Sequence, residues 1–240
     1  MQSAKCSAEV IDIQALTHDV KEISLKMIEP PHVEFLAGQY ISIEVTEMKD
    51  GHPRKNNRPY SIVSPPEEKE VIKLCVNLVK GGPGSTCLHS LRLGDKLTFL
   101  YPLGYFTVNE TATTSLLFVA TGTGIAPIKS MIVHLLRNGS KRPIMLYWGL
   151  RSNIDIYYQE EFASLAKEYP FFQFHIALSR PSEAWNGLKG RVTHLLPDAI
   201  QSVENLDAYL CGNGDMIKEV RAILLEKGMP RKSIHFEKFY

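Results

Sequence analysis

The chain has 240 residues, a formal net charge of +1, 44 % hydrophobic residues and 22 % charged residues. That balance suits a globular protein with one large core or two small ones, and it provides no field to hold nucleic acid or an anionic membrane. Cys6, Cys75, Cys87 and Cys211 are scattered, without a Cys-x-x-Cys pair, which argues against a disulfide framework, a zinc site or an iron–sulfur cluster held by this chain. The opening MQSAKCSAEVIDIQ has no long apolar segment and reads as a mature cytosolic terminus, and the longest apolar run, near Leu116–Ala120, is far too short to span a bilayer. The expected location is the cytoplasm.

In chain order, the first half offers short runs separated by turn signals: AEVIDIQAL, VKEISLKM, YISIEV, VIKLCVNLV and KLTFL. Several alternate apolar and polar residues, as half-buried antiparallel strands do. Pro30-Pro31, Ala37-Gly38, Asp50-Gly51, Pro65-Pro66 and Leu93-Gly94-Asp95 punctuate them, and only Ser85–Leu93 suggests a short helix. This pattern predicts an antiparallel barrel or sandwich. The polar stretch GHPRKNN reads as a loop that leads into a strand at Arg58-Pro59-Tyr60-Ser61.

Asn109–Thr114 is a polar connection, after which the grammar changes. Apolar strands (SLLFVA, PIMLYWG, FQFHIAL, LDAYLCG, SIHFEKF) alternate with helical patterns (IAPIKSMIVHLLRNG, YYQEEFASLAKEY, VTHLLPDAI, DMIKEVRAILLEKG). That order predicts a parallel sheet covered by helices on both faces, with ligands at the carboxyl ends of its strands. The expected division is residues 1–109 for the barrel domain and 115–240 for the α/β domain.

Three stretches carry candidate chemistry. A bound flavin needs a cation for its diphosphate, an aromatic face and a hydroxyl near N5, and Arg58, Tyr60 and Ser61 supply these; an edge strand with a solvated arginine and a half-buried tyrosine is the alternative. Two-residue periodicity puts Arg58 and Tyr60 on one strand face. Lys80–His89, KGGPGSTCLH, sets Gly84, Ser85 and Thr86 at a helix start, where backbone N–H groups and hydroxyls suit an anion; an ordinary helix start after a turn has the same sequence signature. Thr121–Pro127, TGTGIAP, follows a strand and opens a helix, so Gly122, Thr123 and Gly124 fit a phosphate turn, and Pro127 suits a first helical turn. The next strand ends Tyr147-Trp-Gly-Leu-Arg151 with no acidic residue for a ribose hydroxyl, so the usual dinucleotide fingerprint is incomplete and a plain glycine turn is the alternative. His18, His32, His52, His134, His175, His194 and His235 show no ligand spacing, and no metal is expected.

Taken in order, R-P-Y-S, G-x-x-S-T-x-L-H, P-x-G-x-F (Pro102 to Phe106), G-T-G-I-A-P, C-G-N and a terminal E-x-F resemble the ferredoxin–NADP reductase-like family over essentially the whole chain. The resemblance implies an N-terminal FAD-binding β-barrel, a C-terminal α/β domain that binds NADH or NADPH, and hydride transfer from nicotinamide to flavin. It implies roles for Arg58, Pro59, Tyr60 and Ser61 and for Gly84, Ser85 and Thr86 at FAD. At the nicotinamide dinucleotide it implies Gly122, Thr123 and Gly124, with Cys211, Gly212 and Asn213 facing the nicotinamide. Ser61, Cys211 and Glu237 would lie nearest the reacting atoms, and either Phe239 or Tyr240 would cover a ring. Ser179 and Arg180 would answer a 2′-phosphate, helped by Arg151 and Arg191, although S-R-P before W-x-G also looks like relatives that use NADH. The acceptor implied is a separate ferredoxin-like protein or oxygenase component, because no cluster domain is fused here. A reductase of free flavin and a non-catalytic electron-transfer subunit are the alternatives.

Overall fold

The computed structural model describes residues 4–49 and 52–239. They group into two compact units. One takes the chain up to Val108 together with Lys129–His134, and the other takes Asn109–Ile128 and the chain from Leu135 onward.

The first unit is an antiparallel sheet of β1 (Ala4–Ala15), β2 (Val20–Glu29), β3 (Tyr40–Lys49), β4 (His52–Ser61), β5 (Val71–Asn77) and β6 (Lys96–Leu103). The strand order is β4-β3-β6-β1-β2-β5. An antiparallel bridge between Ile62 and Leu74, with Val63 N–H donating to Lys73 O at 2.8 Å, joins the two ends and curls the sheet into a barrel. Alternation drives this closure. Cys6, Ala8 and Val10 of β1, Ile41 and Ile43 of β3, and Ile72 and Leu74 of β5 all point into one buried cluster. A single helix, α1 (Pro83–Ser90), follows β5.

The stretch read as a polar loop is instead most of β4. Residues from His52 pair with β3 in an unbroken register that ends at Tyr40 opposite Ser61. Its polarity misled because β4 is the outermost strand, with His52–Lys55 exposed and apolar alternation absent. A strand solvated on its outer side need not look amphipathic.

The second unit has a parallel sheet in the order β10-β9-β8-β7-β11-β12: β7 (Ser115–Thr121), β8 (Ile144–Leu150), β9 (Phe172–Leu178), β10 (Leu188–Lys189), β11 (Leu206–Asn213) and β12 (Ile234–Phe239). The helices that follow its strands are α2 (Ile125–Arg137), of which Lys129–His134 groups with the first unit, α3 (Gln159–Glu168), α4 (Val192–Ala199) and α5 (Gly214–Glu226). The central strand β7 is buried from Leu116 to Ala120, as a strand covered on both faces must be. The two residues of β10 leave no periodic signal in sequence. Among the described residues, no helix is long and apolar enough to cross a membrane.

The polar connection belongs to the second unit and is fastened to it. Arg142, just before β8, donates from Nε to Thr114 O (2.6 Å), from Nη1 to Asn109 O (2.9 Å) and from Nη2 to Thr114 Oγ1 (2.8 Å). Thr114 Oγ1 donates to Asp207 Oδ2 at 2.6 Å. The guanidinium is buried, and desolvation draws its pKa down. It nevertheless stays charged, because arginine starts so far above neutrality.

Candidate functional site

In the first unit the strand face of Arg58 and Tyr60 meets the start of α1. A Cβ placed on Gly84 would lie 2.5 Å from Tyr60 Oη and 3.0 Å from Arg58 Cγ. Only glycine lets these two side chains lie on the first helical turn. Thr86 N–H bonds back to Gly82 O, and Pro83 has no N–H. The amides of Gly84 and Ser85 therefore form the donor end of α1 ahead of its first backbone bond. A half-buried guanidinium, a phenol ring and two first-turn amides gathered on one barrel face fit a diphosphate-bearing flavin.

Arg58 is not the solvated arginine that its strand position also allowed. Its Nη2 pairs with Glu47 Oε2 at 2.8 Å, Nη1 donates to Asn57 O at 3.2 Å, and Glu47 Oε1 accepts from Asn56 Nδ2. Guanidinium has five N–H donors, so this pairing fixes the fork and leaves donors for an anion. Sequence reading missed Glu47 and Asn56; across a β3–β4 hairpin they would have stood out as a polar cluster, but the loop assignment hid the hairpin. Ser61, opposite Tyr40 at the far end of β4, is buried, and Pro59 is exposed. Ser85 is buried, and its hydroxyl is used inward: it accepts from Val79 N–H at 3.1 Å and donates to Gly82 O at 3.1 Å. The side chain shapes the glycine loop, so the backbone amide is what Ser85 offers to a ligand. Thr86 is exposed.

In the second unit the carboxyl ends of β7 and β11 come together. A Cβ on Gly124 would lie 2.4 Å from Cys211 O and 2.7 Å from Gly212 Cα. Asn213 N–H donates to Thr121 Oγ1 at 2.9 Å. The TGTG loop and the Cys-Gly-Asn stretch thus form one surface, as parallel pairing of Cys211 with Ala120 requires. Gly122 has φ +53°, and a Cβ there would meet open space, so the loop's outer side is free for an anion. Asn213 caps α5 by accepting from Asp215 and Met216 N–H.

Parallel pairing of β11 with β12 sets Cys211 opposite Glu237 and Asn213 opposite Phe239. Cys211 is fully buried; burial first, and the charge of Glu237 second, push its thiol well above the usual range. Both causes favour the neutral thiol over the thiolate. Phe239 is half-buried at the end of β12; Tyr240 lies outside the described residues. Ser179 and Arg180 follow β9 and are exposed. Arg180 N–H donates to Arg151 O at 2.7 Å, and the Ser179 hydroxyl points back to Leu150 O at 3.4 Å. Arg191 is the N-cap of α4 and follows Gly190, whose N–H donates to Leu178 O at the end of β9 at 2.8 Å.

Comparison with known proteins places both units. The family described as oxidoreductase FAD-binding domain matches residues 7–108, and the oxidoreductase NAD-binding domain family matches residues 118–222. The chain is 31 % identical to ferredoxin–NADP reductase B of Sorangium cellulosum, over 100 % of this chain and 99 % of that one. It is 33 % identical to the phenol hydroxylase P5 protein of Acinetobacter pittii, over 97 % of this chain and 65 % of that protein's length. In structure it matches the flavohem-like FAD/NAD binding domain of nitric oxide dioxygenase from Vibrio cholerae, with a TM-score of 0.86, 23 % identity and 98 % of each chain covered. FAD binding in the barrel unit and NAD(P) binding in the parallel-sheet unit follow from the two domain matches, and the chain belongs to the ferredoxin–NADP reductase-like family of oxidoreductases.

Proposed function

We propose that this chain is an FAD-dependent NAD(P)H oxidoreductase of the cytoplasm that takes a hydride from the nicotinamide and passes electrons to a separate ferredoxin-like or oxygenase protein. The observation that carries the reading is that each unit holds its own phosphate-type backbone cradle. Gly84 packs under Tyr60 and Arg58 in one, and Gly124 packs on Cys211-Gly212 in the other. Residues 1–109 would serve the flavin and 115–240 the dinucleotide. The protein acceptor is supported by the phenol hydroxylase relative and by a 31 % identical reductase component of a Pseudomonas phenol 2-monooxygenase.

Bound flavin supplies hydride acceptance at N5 and release of electrons singly; everything else falls to the chain. Arg58, held by Glu47, and the amides of Gly84 and Ser85 would neutralise the flavin diphosphate. Tyr60 would stack on the ring and Ser61 would lie near N5. Gly122, Thr123 and Gly124 would hold the dinucleotide phosphates by backbone. Cys211, Glu237 and Phe239 would border the nicotinamide, with Cys211 offering a protonated thiol and no competing charge. Arg180 beside Arg151 would select for a 2′-phosphate. Orientation of the two rings, rather than an acid–base pair, would supply most of the rate.

The test is an anaerobic visible spectrum of the purified protein titrated separately with NADH and NADPH. Bleaching of a bound flavin is expected. A colourless protein that takes up no FAD would sink the proposal, and flavin that neither dinucleotide bleaches would favour the electron-transfer subunit. Tyr60→Ala should weaken flavin binding by roughly 1–3 kcal/mol, the range for stacking on an aromatic ring, read as FAD lost on desalting and as a raised dissociation constant. Unchanged retention would remove Tyr60 from the flavin face.

A further inference from the structure

The TGTG loop is held from beneath by a residue outside every motif. Trp148 of β8 is fully buried, one strand away from the loop and paired in register with Ala120. Its indole Nε1–H donates to Gly122 O at 3.0 Å. The ring is fixed on its other sides by Tyr157, edge-on at 4.7 Å and 87°, and by Phe162, edge-on at 6.1 Å and 76°. Gly122 O also accepts from Ile125 N–H, at the turn into α2. Both lone pairs of that carbonyl are therefore occupied on the protein side.

Because the peptide unit is planar and trans, a carbonyl held in one direction sends the next residue's N–H in the opposite one. Pinning Gly122 O inward turns the Thr123 N–H outward, toward the side on which Gly122 leaves open space. We infer that Trp148 is a positioning residue, whose indole N–H sets the orientation of the Gly122–Thr123 peptide so that Thr123 N–H is presented, before any ligand arrives, to a phosphate of the dinucleotide. A glycine with φ +53° is the residue in this loop most able to turn its peptide over. An isolated glycine loop would pay for that freedom on binding; an external hydrogen-bond donor removes it in advance. The inference rests on the dinucleotide reading of this loop and adds to it the residue that pre-organises it.

The experiment compares the FAD-loaded wild type with Trp148→Phe, which keeps an aromatic ring and loses the N–H. ADP-ribose, a pyrophosphate ligand that cannot react, is titrated calorimetrically, and steady-state kinetics are run with NADH and NADPH. The expected result is a roughly fivefold weaker ADP-ribose affinity and a matching rise in KM, the equivalent of one ordinary hydrogen bond. Flavin content and turnover at saturating dinucleotide should hold. Should Trp148→Phe fail to fold, 3-benzothienylalanine introduced at position 148, which has the indole's shape without its N–H, gives the same comparison. Equal ADP-ribose affinity in the folded variant overturns the inference while the dinucleotide site stands. A wild type that binds no ADP-ribose and is bleached by neither dinucleotide overturns the functional reading and this inference with it.

Discussion

Gly124→Ala should cut the rate of flavin reduction by NADH or NADPH at least about 100-fold, the size of effect that a misplacement of roughly 1 Å produces in an oriented reaction, while the protein keeps its FAD. The added methyl would sit 2.4 Å from Cys211 O and 2.6 Å from Cys211 C. These are backbone atoms of β11, locked between β7 and β12 by parallel pairing. A flexible side chain could swing aside, but this ladder cannot move without breaking register. The strain must instead push the TGTG loop away from Cys211-Gly212-Asn213, separating the surface proposed for the phosphates from the one proposed for the nicotinamide. Flavin content is expected to hold because Arg58, Tyr60 and Gly84 all lie in the other unit. Stopped-flow reduction of the variant at the wild-type rate would show that the close approach is incidental.

Arg142→Ala should destabilise the second unit by about 3–5 kcal/mol, the usual cost of removing one partner from a buried charged network. Three hydrogen bonds are lost at once: the Thr114 carbonyl loses this donor, the Asn109 carbonyl keeps the longer bond from Ala112 N–H at 3.4 Å, and Asp207 keeps its charge. Lysine should rescue little of this, since one ammonium cannot span the three acceptors that the planar fork reaches. Urea unfolding followed by tryptophan fluorescence reads the right part of the molecule, because Trp148 and Trp185 are the chain's two tryptophans and both lie in the second unit. An unfolding midpoint equal to the wild type's would mean that the clasp contributes nothing net.

These residues also mark where the sequence was readable. Wherever apolar periodicity or glycine punctuation governs, the elements follow from it: β7, α2 and β8 run within a residue or two of the apolar segments that predict them. β4 escaped because its outer residues face solvent and leave no alternation. The motif glycines were visible because backbone approach demands glycine and little else satisfies it. Arg142, Glu47 and Trp148 were not, because each works through a partner distant in the chain. Arg142 in KRP looks like a solvated charge, and Trp148 inside PIMLYWG looks like core. Its indole N–H, which must find an acceptor when buried, was the one available hint that something polar lies beneath the loop.

The hairpin that hides in GHPRKNN has a consequence for the protein in a crowded cell. A strand at the rim of a sheet offers a row of unpaired donors and acceptors, on which another chain can add itself and start an aggregate. β4 ends one side of the strand order and carries Pro53 and Pro59, which have no N–H, with Arg54 and Lys55 exposed between them. At one end of the parallel sheet, β10 offers only two residues. Interrupted donors and repelling charge at β4, and brevity at β10, leave neither of these two edges a continuous template for strand addition. The same polar residues that disguised β4 as a loop are what keep it from recruiting copies of itself.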